Sequence, residues 1–442
     1  MIMDIKGDVS GLTQPDVINP KIEERAQKTG KEWKPSSFPV EFLSITEENG
    51  VRMRATVSEF GPILFSKMLE LNETQQSVLS VIFKYADDKR LPLVDLKDIK
   101  SLIKFVTNEG KADFTKEYGS ISTSSIGLIL RKIIEIEDQD ANIFFGEKSF
   151  DIDDLIRIDE NGYGYINIIR LAKLQDNPKM FSTFMLALLA EIYQKFPEVG
   201  DLDQPKLILI IDEAHLIFKE ATKTLLSQLE TVIKLIRSKG VGIIFCTQSP
   251  TDIPKEILGQ LGMKIQHALR AFSAQNRKAI NLISDNFPIS DYYQTKDLIT
   301  ALGTGEALIT VLNEKGEPTP LVHTIICVPR SRMDVISNTE LEQTIAKSRL
   351  VSKHSSTLDP ESAYELLTTK LNDYLVEPTK NNSTSSESTN SQQVQQKEEN
   401  VIGKLSKDKF VKSMAKSATT SFVRNFTGQI TRGTLGILLK KK

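Results

Sequence analysis

Cysteine is almost missing from this 442-residue chain, with only Cys246 and Cys327 present. Two cysteines in so long a chain build no disulfide framework. Both fall in apolar, strand-like runs, which points to a reduced, cytoplasmic protein. Neither they nor the four histidines fall at metal-site spacings. No apolar run is long enough to cross a bilayer, and the most apolar helical stretch, residues 180–193, contains Glu191. The opening Met-Ile-Met-Asp-Ile-Lys-Gly-Asp has no basic segment followed by an apolar core, so it does not read as a signal peptide. A charge excess is lacking too: the net charge is −2, which leaves the whole chain without a nucleic-acid signature. Also absent is Gly-x-x-x-x-Gly-Lys-[Ser/Thr], the loop whose backbone N–H groups and lysine cradle nucleotide phosphates. Gly30-Lys31 is followed by Glu32, Gly110-Lys111 by Ala112 and Gly403-Lys404 by Leu405, and Gly303-Thr304-Gly305 has no lysine. Tight ATP binding through that device is therefore excluded for these residues.

What is present centres on residues 206–215, Lys-Leu-Ile-Leu-Ile-Ile-Asp-Glu-Ala-His. The apolar residues from Leu207 to Ile211 read as a strand buried on both faces, as in a parallel sheet. Asp212 and Glu213 would then sit where open α/β sheets bind ligands, beyond the strand's carboxyl end. This is the pattern of a Walker B strand, with one acid holding Mg²⁺ through water and the next orienting or deprotonating the attacking water. The plain alternative is a core strand running into a helix whose N-terminus favours acids.

Along the chain, residues 1–3 read as the end of a strand and 4–8 as a polar turn. Residues 9–60 are mixed, broken by Pro15, Pro20, Pro35 and Pro39. Residues 61–200 are mainly helical and read as an insertion, with Asp95 as a helix cap and a short extended stretch at 163–169. Residues 201–335 alternate strands and helices: a helix at 219–238 stopped by Gly240, a strand from Val241 to Thr247, a strand at 264–271, and paired late strands at 306–312 and 322–328 around Lys315-Gly316. Such alternation predicts a doubly wound α/β core. Two helices are expected in 336–375. Residues 376–400 have almost no apolar side chains and predict a disordered linker.

Five stretches in order carry a resemblance: Asp4-Ile-Lys-Gly-Asp8, Leu207-Ile-Leu-Ile-Ile-Asp-Glu-Ala-His215, Ile236-Arg-Ser-Lys-Gly-Val-Gly242, Thr247-Gln-Ser-Pro250 and Leu302-Gly-Thr-Gly-Glu-Ala-Leu308. The set resembles the HerA-like ATPases of the HerA–FtsK motor superfamily, over residues 1 to about 375. The resemblance implies a RecA-like P-loop NTPase core and Mg²⁺-dependent ATP hydrolysis in a ring, a homo-hexamer, with DNA as the track. In that family a strand, the P-loop and its helix precede the segment matching Asp4–Asp8, so this chain is expected to lack them and to bind ATP poorly. Residue by residue, the resemblance makes Asp212 the Mg²⁺-associated acid, Glu213 the catalytic base and Gln248 the polar sensor. It makes Asp4 an acid near the nucleotide, and Arg237 an arginine finger, with Arg270 as a second candidate. His215 reads as a packed or capping histidine. The competing expectation is a nucleotide-free structural or interaction module.

From Val401 the chain changes character. Phe410, Met414, Ala418, Phe422, Phe426 and Ile430 recur at four-residue spacing, which tracks one helix face. Residues 376–442 hold 12 Lys/Arg against 5 Asp/Glu, so the tail is basic and the body acidic. A basic amphipathic helix here would suit a partner subunit, an anionic membrane surface or nucleic acid, or would simply pack on its own domain.

Overall fold

The chain enters the middle of its main sheet within its first four residues. The computed structural model describes residues 1–376 apart from 139–140, 148–150, 175–177, 201, 220–222, 271–273 and 355–360. Six strands form one sheet: β1 (Ile2–Asp4), β2 (Val40–Ser44), β3 (Val51–Arg52), β4 (Ile166–Arg170), β5 (Leu207–Ile211) and β6 (Val241–Phe245). Their order is β3-β2-β4-β1-β5-β6, with every neighbouring pair parallel. Short runs of Ile, Leu and Val suit such strands, because helices on the faces of a parallel sheet bury both sides. The fold is therefore α/β, as the alternation of elements implies.

β1 has neighbours on both sides: Ile2 pairs with Ile168 of β4 and Ile210 of β5. β4 falls among the residues expected to be a helical insertion, where only a short extended stretch was legible. It is nonetheless a central strand, flanked by β2 and β1. Its buried Asn167 donates from Nδ2 to the Leu155 carbonyl at 3.0 Å, while its Oδ1 is buried without a hydrogen-bond partner. The helices Glu73–Asp88, Leu96–Thr107 and Thr123–Glu137 pack against one another. Asp95 caps the second as expected, accepting from the Lys97 and Asp98 N–H groups at 2.7 and 3.1 Å. Fully buried Asp98 accepts from the Tyr364 N–H at 2.8 Å and so ties the late helix Ala363–Val376 to this layer.

A second, antiparallel sheet has the order β7-β8-β9, made by Lys264–Gln266 (β7), Glu306–Thr310 (β8) and Val322–Ile325 (β9). The late pairing is the expected one, and Gly316 takes φ 77° in the turn. β7 is shorter than expected, because beyond it the Leu269 N–H turns to the Ile299 carbonyl rather than to β8. Of the helix expected at 219–238, the described residues show helix Lys223–Leu235 and a 3-10 turn, Ile236–Lys239, stopped by Gly240 in the left-handed conformation, and residues His215–Lys219 before it are helical as well. Residues 338–375 hold three helices rather than two, Asn338–Ala346, Arg349–His354 and Ala363–Val376.

The two faces of the main sheet differ at β5 and β6. On one face Leu209 and Ile211 are fully buried, and Phe218 meets Phe245 with ring centroids 5.8 Å apart. On the other, Ile208 is 40% exposed and Ile244 44% exposed. The outer edge of β6 pairs with no strand among the described residues. Because the Cys246 N–H bonds Ile211 on β5, the alternation of a strand turns the backbone groups of Ile243 and Phe245 toward that open edge.

Residues Met1–Asn372 cluster as one compact unit and Asp373–Lys442 as another. Of the second, only 373–376 are described, as the end of a helix. The expected linker beyond Val376 and the expected basic helix of 401–442 lie outside the described residues. Among the described residues no helix is long and apolar enough to cross a membrane.

Candidate functional site

Since β1, β5 and β6 are parallel, the residues that follow them emerge on the same side of the sheet. Asp4 ends β1, Asp212 and Glu213 follow β5, and Gln248 follows β6. Two backbone bonds lock the β5 exit to the β6 exit: Cys246 N–H to Ile211 O and Ala214 N–H to Cys246 O, each at 2.9 Å. They force a sharp turn at Glu213, whose φ is +46°. A non-glycine residue in that region is strained by about 1–3 kcal/mol and persists only where its surroundings hold it.

Glu213 is 4% exposed and its carboxylate is closely held. Its Oε1 accepts from Gln248 Nε2 at 3.0 Å and forms an ion pair with Lys6 Nζ. Its Oε2 lies 3.2 Å from His215 Nδ1, but off the line of a hydrogen bond: both atoms are buried without a hydrogen-bond partner. Burial acts to raise the Glu213 pKa, but the Lys6 and Gln248 hydrogen bonds outweigh it and hold the group below the usual carboxylate range. Half-buried Asp212 goes the other way: desolvation raises it, with the Glu213 backbone N–H and the Lys6 charge opposing. Lys6 itself is raised by its Glu213 partner.

The other expected site residues are placed differently. Asp4 is buried and spends its carboxylate on its own turn, accepting from the Gly7 N–H at 2.7 Å. Gly7 supplies the φ of +75° that closes this turn. Arg237 is exposed and lies before β6, at the opposite end of that strand from Gln248. A five-residue strand spans about 16 Å, so Arg237 stands far from the crevice of its own chain. Arg270 caps a helix, donating from Nη2 to the Leu302 carbonyl at 3.0 Å and from Nη1 to that of Thr300.

Sequence reasoning passed over Lys6 and gave His215 no part in the site. The signal for Lys6 was its place in Asp4-Ile-Lys-Gly-Asp8, a turn leaving the strand beside β5. Among the described residues no three His, Cys, Asp or Glu side chains gather as a metal cage.

The family described as "Helicase HerA-like C-terminal" matches residues 1–442. The DNA double-strand break repair helicase HerA of Sulfolobus acidocaldarius is 27% identical over 172 residues, 37% of this chain and 33% of that protein. HerA of Sulfurisphaera tokodaii is 28% identical over 159 residues, 34% of this chain and 30% of that protein. The matched stretch thus spans about a third of the length of these curated relatives. Among solved structures, VirB4 of Thermoanaerobacter pseudethanolicus superposes with a TM-score of 0.43 at 14% identity, covering 74% of this chain and 81% of that one. The plasmid coupling protein TrwB in complex with ADP and Mg²⁺ gives 0.45 at 12% identity, covering 67% and 76%.

Proposed function

The chain belongs to the helicase HerA-like C-terminal family, and on that premise we propose that the crevice is the hydrolytic part of an ATP-driven motor acting on DNA in a homo-hexameric ring. The observation that carries this reading is the Gln248–Glu213 hydrogen bond at 3.0 Å beside Asp212, beyond the carboxyl ends of two parallel strands. Glu213 orients the attacking water and takes its proton, and Gln248 fixes the carboxylate's direction. Arg237 serves a neighbouring subunit's nucleotide. The helix-capping contacts of Arg270 leave it the weaker candidate for that task, and Asp4 shapes the turn carrying Lys6.

Mg²⁺ is compatible with the residues present. It is commonly held by one or two carboxylates, with water and substrate phosphates completing its shell. Asp212, half-buried and short of a full protein cage, fits one such position through water. Bound there, the ion would supply neutralisation of the phosphate charge.

The phosphate cradle, absent from residues 1–442, is supplied in this reading by another polypeptide segment. A strand added at the open edge of β6, with a helix on the face of Ile208 and Ile244, would place it beside the crevice. Calorimetry with Mg²⁺–ATP tests the arrangement. The 442-residue chain alone is expected to bind weakly or not at all, and low-micromolar affinity would mean that loops of this chain hold the phosphates. Genomic sequence encoding an in-frame Gly-x-x-x-x-Gly-Lys-[Ser/Thr] next to this coding region supports the motor. The missing cradle itself favours a second reading, a nucleotide-free interaction module, which predicts no ATPase activity even with such a segment restored.

The basic tail contributes affinity for an anionic surface in the same proposal. Residues 1–375 and the full chain are to be compared on DNA and on anionic vesicles at low and high salt. Salt-sensitive binding by the full chain alone is expected, and equal binding on both surfaces removes the tail from the scheme.

A further inference from the structure

Glu213 cannot act as a base in the state seen here. Oε1 already has two donors, Lys6 and Gln248, and Oε2 is buried against His215 with no hydrogen-bond partner. No oxygen of the carboxylate is open to a water. One of the groups holding it has to leave before it works, and the structure distinguishes among them. Glu213 is fixed by its strained backbone and by the bonds that lock the β5 and β6 exits. Its side chain is only 6% exposed, whereas that of Lys6 is 44% exposed and extends from a turn built on Gly7. The lysine is the movable partner.

We propose that Lys6 is a latch on Glu213 that transfers to the terminal phosphate of a bound nucleoside triphosphate, freeing the carboxylate as the nucleotide arrives. This rests on the nucleotide reading of the crevice. Asp8, Asp212 and Glu213 all act electrostatically on Lys6, so the ammonium sits among several carboxylates and its removal from Glu213 needs a competing anion. A terminal phosphate carries more negative charge than one carboxylate and presents several acceptor oxygens. Mg²⁺ at Asp212 would weaken that residue's pull on the ammonium. The departure of Lys6 also relieves Oε1 of one donor and lets the carboxylate turn its orphaned Oε2 toward water. Base and substrate are thereby linked: Glu213 is closed when no triphosphate is present.

The test is acylation of lysine amines in the full chain, read residue by residue by mass spectrometry. Lys6 should react slowly in the wild type and about threefold faster in Glu213→Gln, since an ammonium released from a partly exposed pair gains that order of accessibility. Lys100, paired with Glu137 at a distance from the site, reports that the variant is folded by keeping its rate. Millimolar Mg²⁺–ATP should then slow Lys6 acylation in Glu213→Gln, while Mg²⁺–ADP should do so far less. Lys6→Arg should retain triphosphate binding that Lys6→Met loses. Equal Lys6 reactivity in wild type and Glu213→Gln overturns the latch. So does equal protection by ATP and ADP, because it removes the terminal phosphate from the scheme. If the protein with its cradle segment restored binds no nucleotide in calorimetry at millimolar concentration, the nucleotide reading falls and this inference with it. Binding with unchanged Lys6 reactivity defeats the latch alone.

Discussion

Gln248 Nε2 donates to Glu213 Oε1 at 3.0 Å, bridging the exits of two adjacent parallel strands. An amide in that position neither gains nor loses a proton, so in the proposed hydrolysis it would set the direction of the carboxylate without competing for the proton taken from water. With the cradle segment restored, Glu213→Gln should abolish turnover while ATP still binds, because the amide keeps the shape but cannot accept the proton. Gln248→Ala should lower kcat by about 10–100-fold with little change in KM, as expected for loss of a positioning contact. Steady-state kinetics on both variants checks this. A Gln248→Ala protein with normal kcat removes Gln248 from the chemistry.

The partly uncovered face at β5 and β6 should make the chain prone to association. Ile208 and Ile244 lie on the same side of the sheet, and β6 offers an unpaired edge. The 442-residue chain should aggregate or require a partner segment, and Ile244→Lys should reduce that tendency without unfolding the protein. Light scattering with thermal melts decides the point. A monodisperse wild-type monomer with a cooperative melt well above about 50 °C argues that the face is harmless as it stands.

Lys67 offers a prediction in pH. Burial lowers its pKa from 10.5 to about 8. The unfolded chain therefore holds this proton up to higher pH than the folded one. At pH 7 the lysine is charged in both states, and the fold bears the cost of the buried charge. Between about pH 8 and 10.5 the folded state loses its proton first, so this group's contribution to stability rises with pH across that window. Lys67→Met should stabilise the protein at pH 7 by about 1–2 kcal/mol, discounted for the side chain's partial exposure. The advantage should shrink toward pH 10. Chemical denaturation of both proteins at the two pH values measures it, and a constant difference would contradict the assignment.

Part of the sheet could be read in the sequence because β5 and β6 are unbroken apolar runs. Leu207–Ile211 announces a parallel strand, although it is buried fully on one face only, with Ile208 exposed on the other, and Asp212-Glu213 marks its carboxyl end. β4 was harder: Ile166–Arg170 is short, contains a polar Asn167 and lies between helices, so no periodicity raised it above a connecting stretch. The pairing of Gln248 with Glu213 was legible only in outline, as two strand ends in one crevice. Lys6 was not, because its partner lies 207 positions away and ion pairs leave no repeat in a sequence. Arg270 reads in the sequence as part of the strand expected at 264–271 and as a second finger candidate by resemblance. Its capping contacts depend on where helix Thr295–Ala301 comes to rest, which local sequence does not fix.

Arg237 provides the sharpest test of assembly. It sits in the turn before β6, whereas Glu213 and Gln248 lie beyond the opposite ends of β5 and β6. Its own crevice is out of reach, but a ring neighbour could receive it, and an arginine supplied in trans is worth about 10³–10⁵ in rate. In the restored protein Arg237→Ala should therefore abolish turnover, as Glu213→Gln does, for a different reason. Mixing the two inactive proteins should recover part of the activity, since some interfaces then join an intact Glu213 to an intact Arg237. The recovery should rise and fall with mixing ratio and be greatest near equal amounts. Arg270→Ala should instead lower stability by about 1 kcal/mol, through loss of the carbonyl contacts that close its helix, and leave the turnover of folded protein largely intact. If mixed rings stay inactive although subunit exchange is confirmed, Arg237 is no finger in trans. A turnover defect in folded Arg270→Ala would then move that role to the arginine after β7.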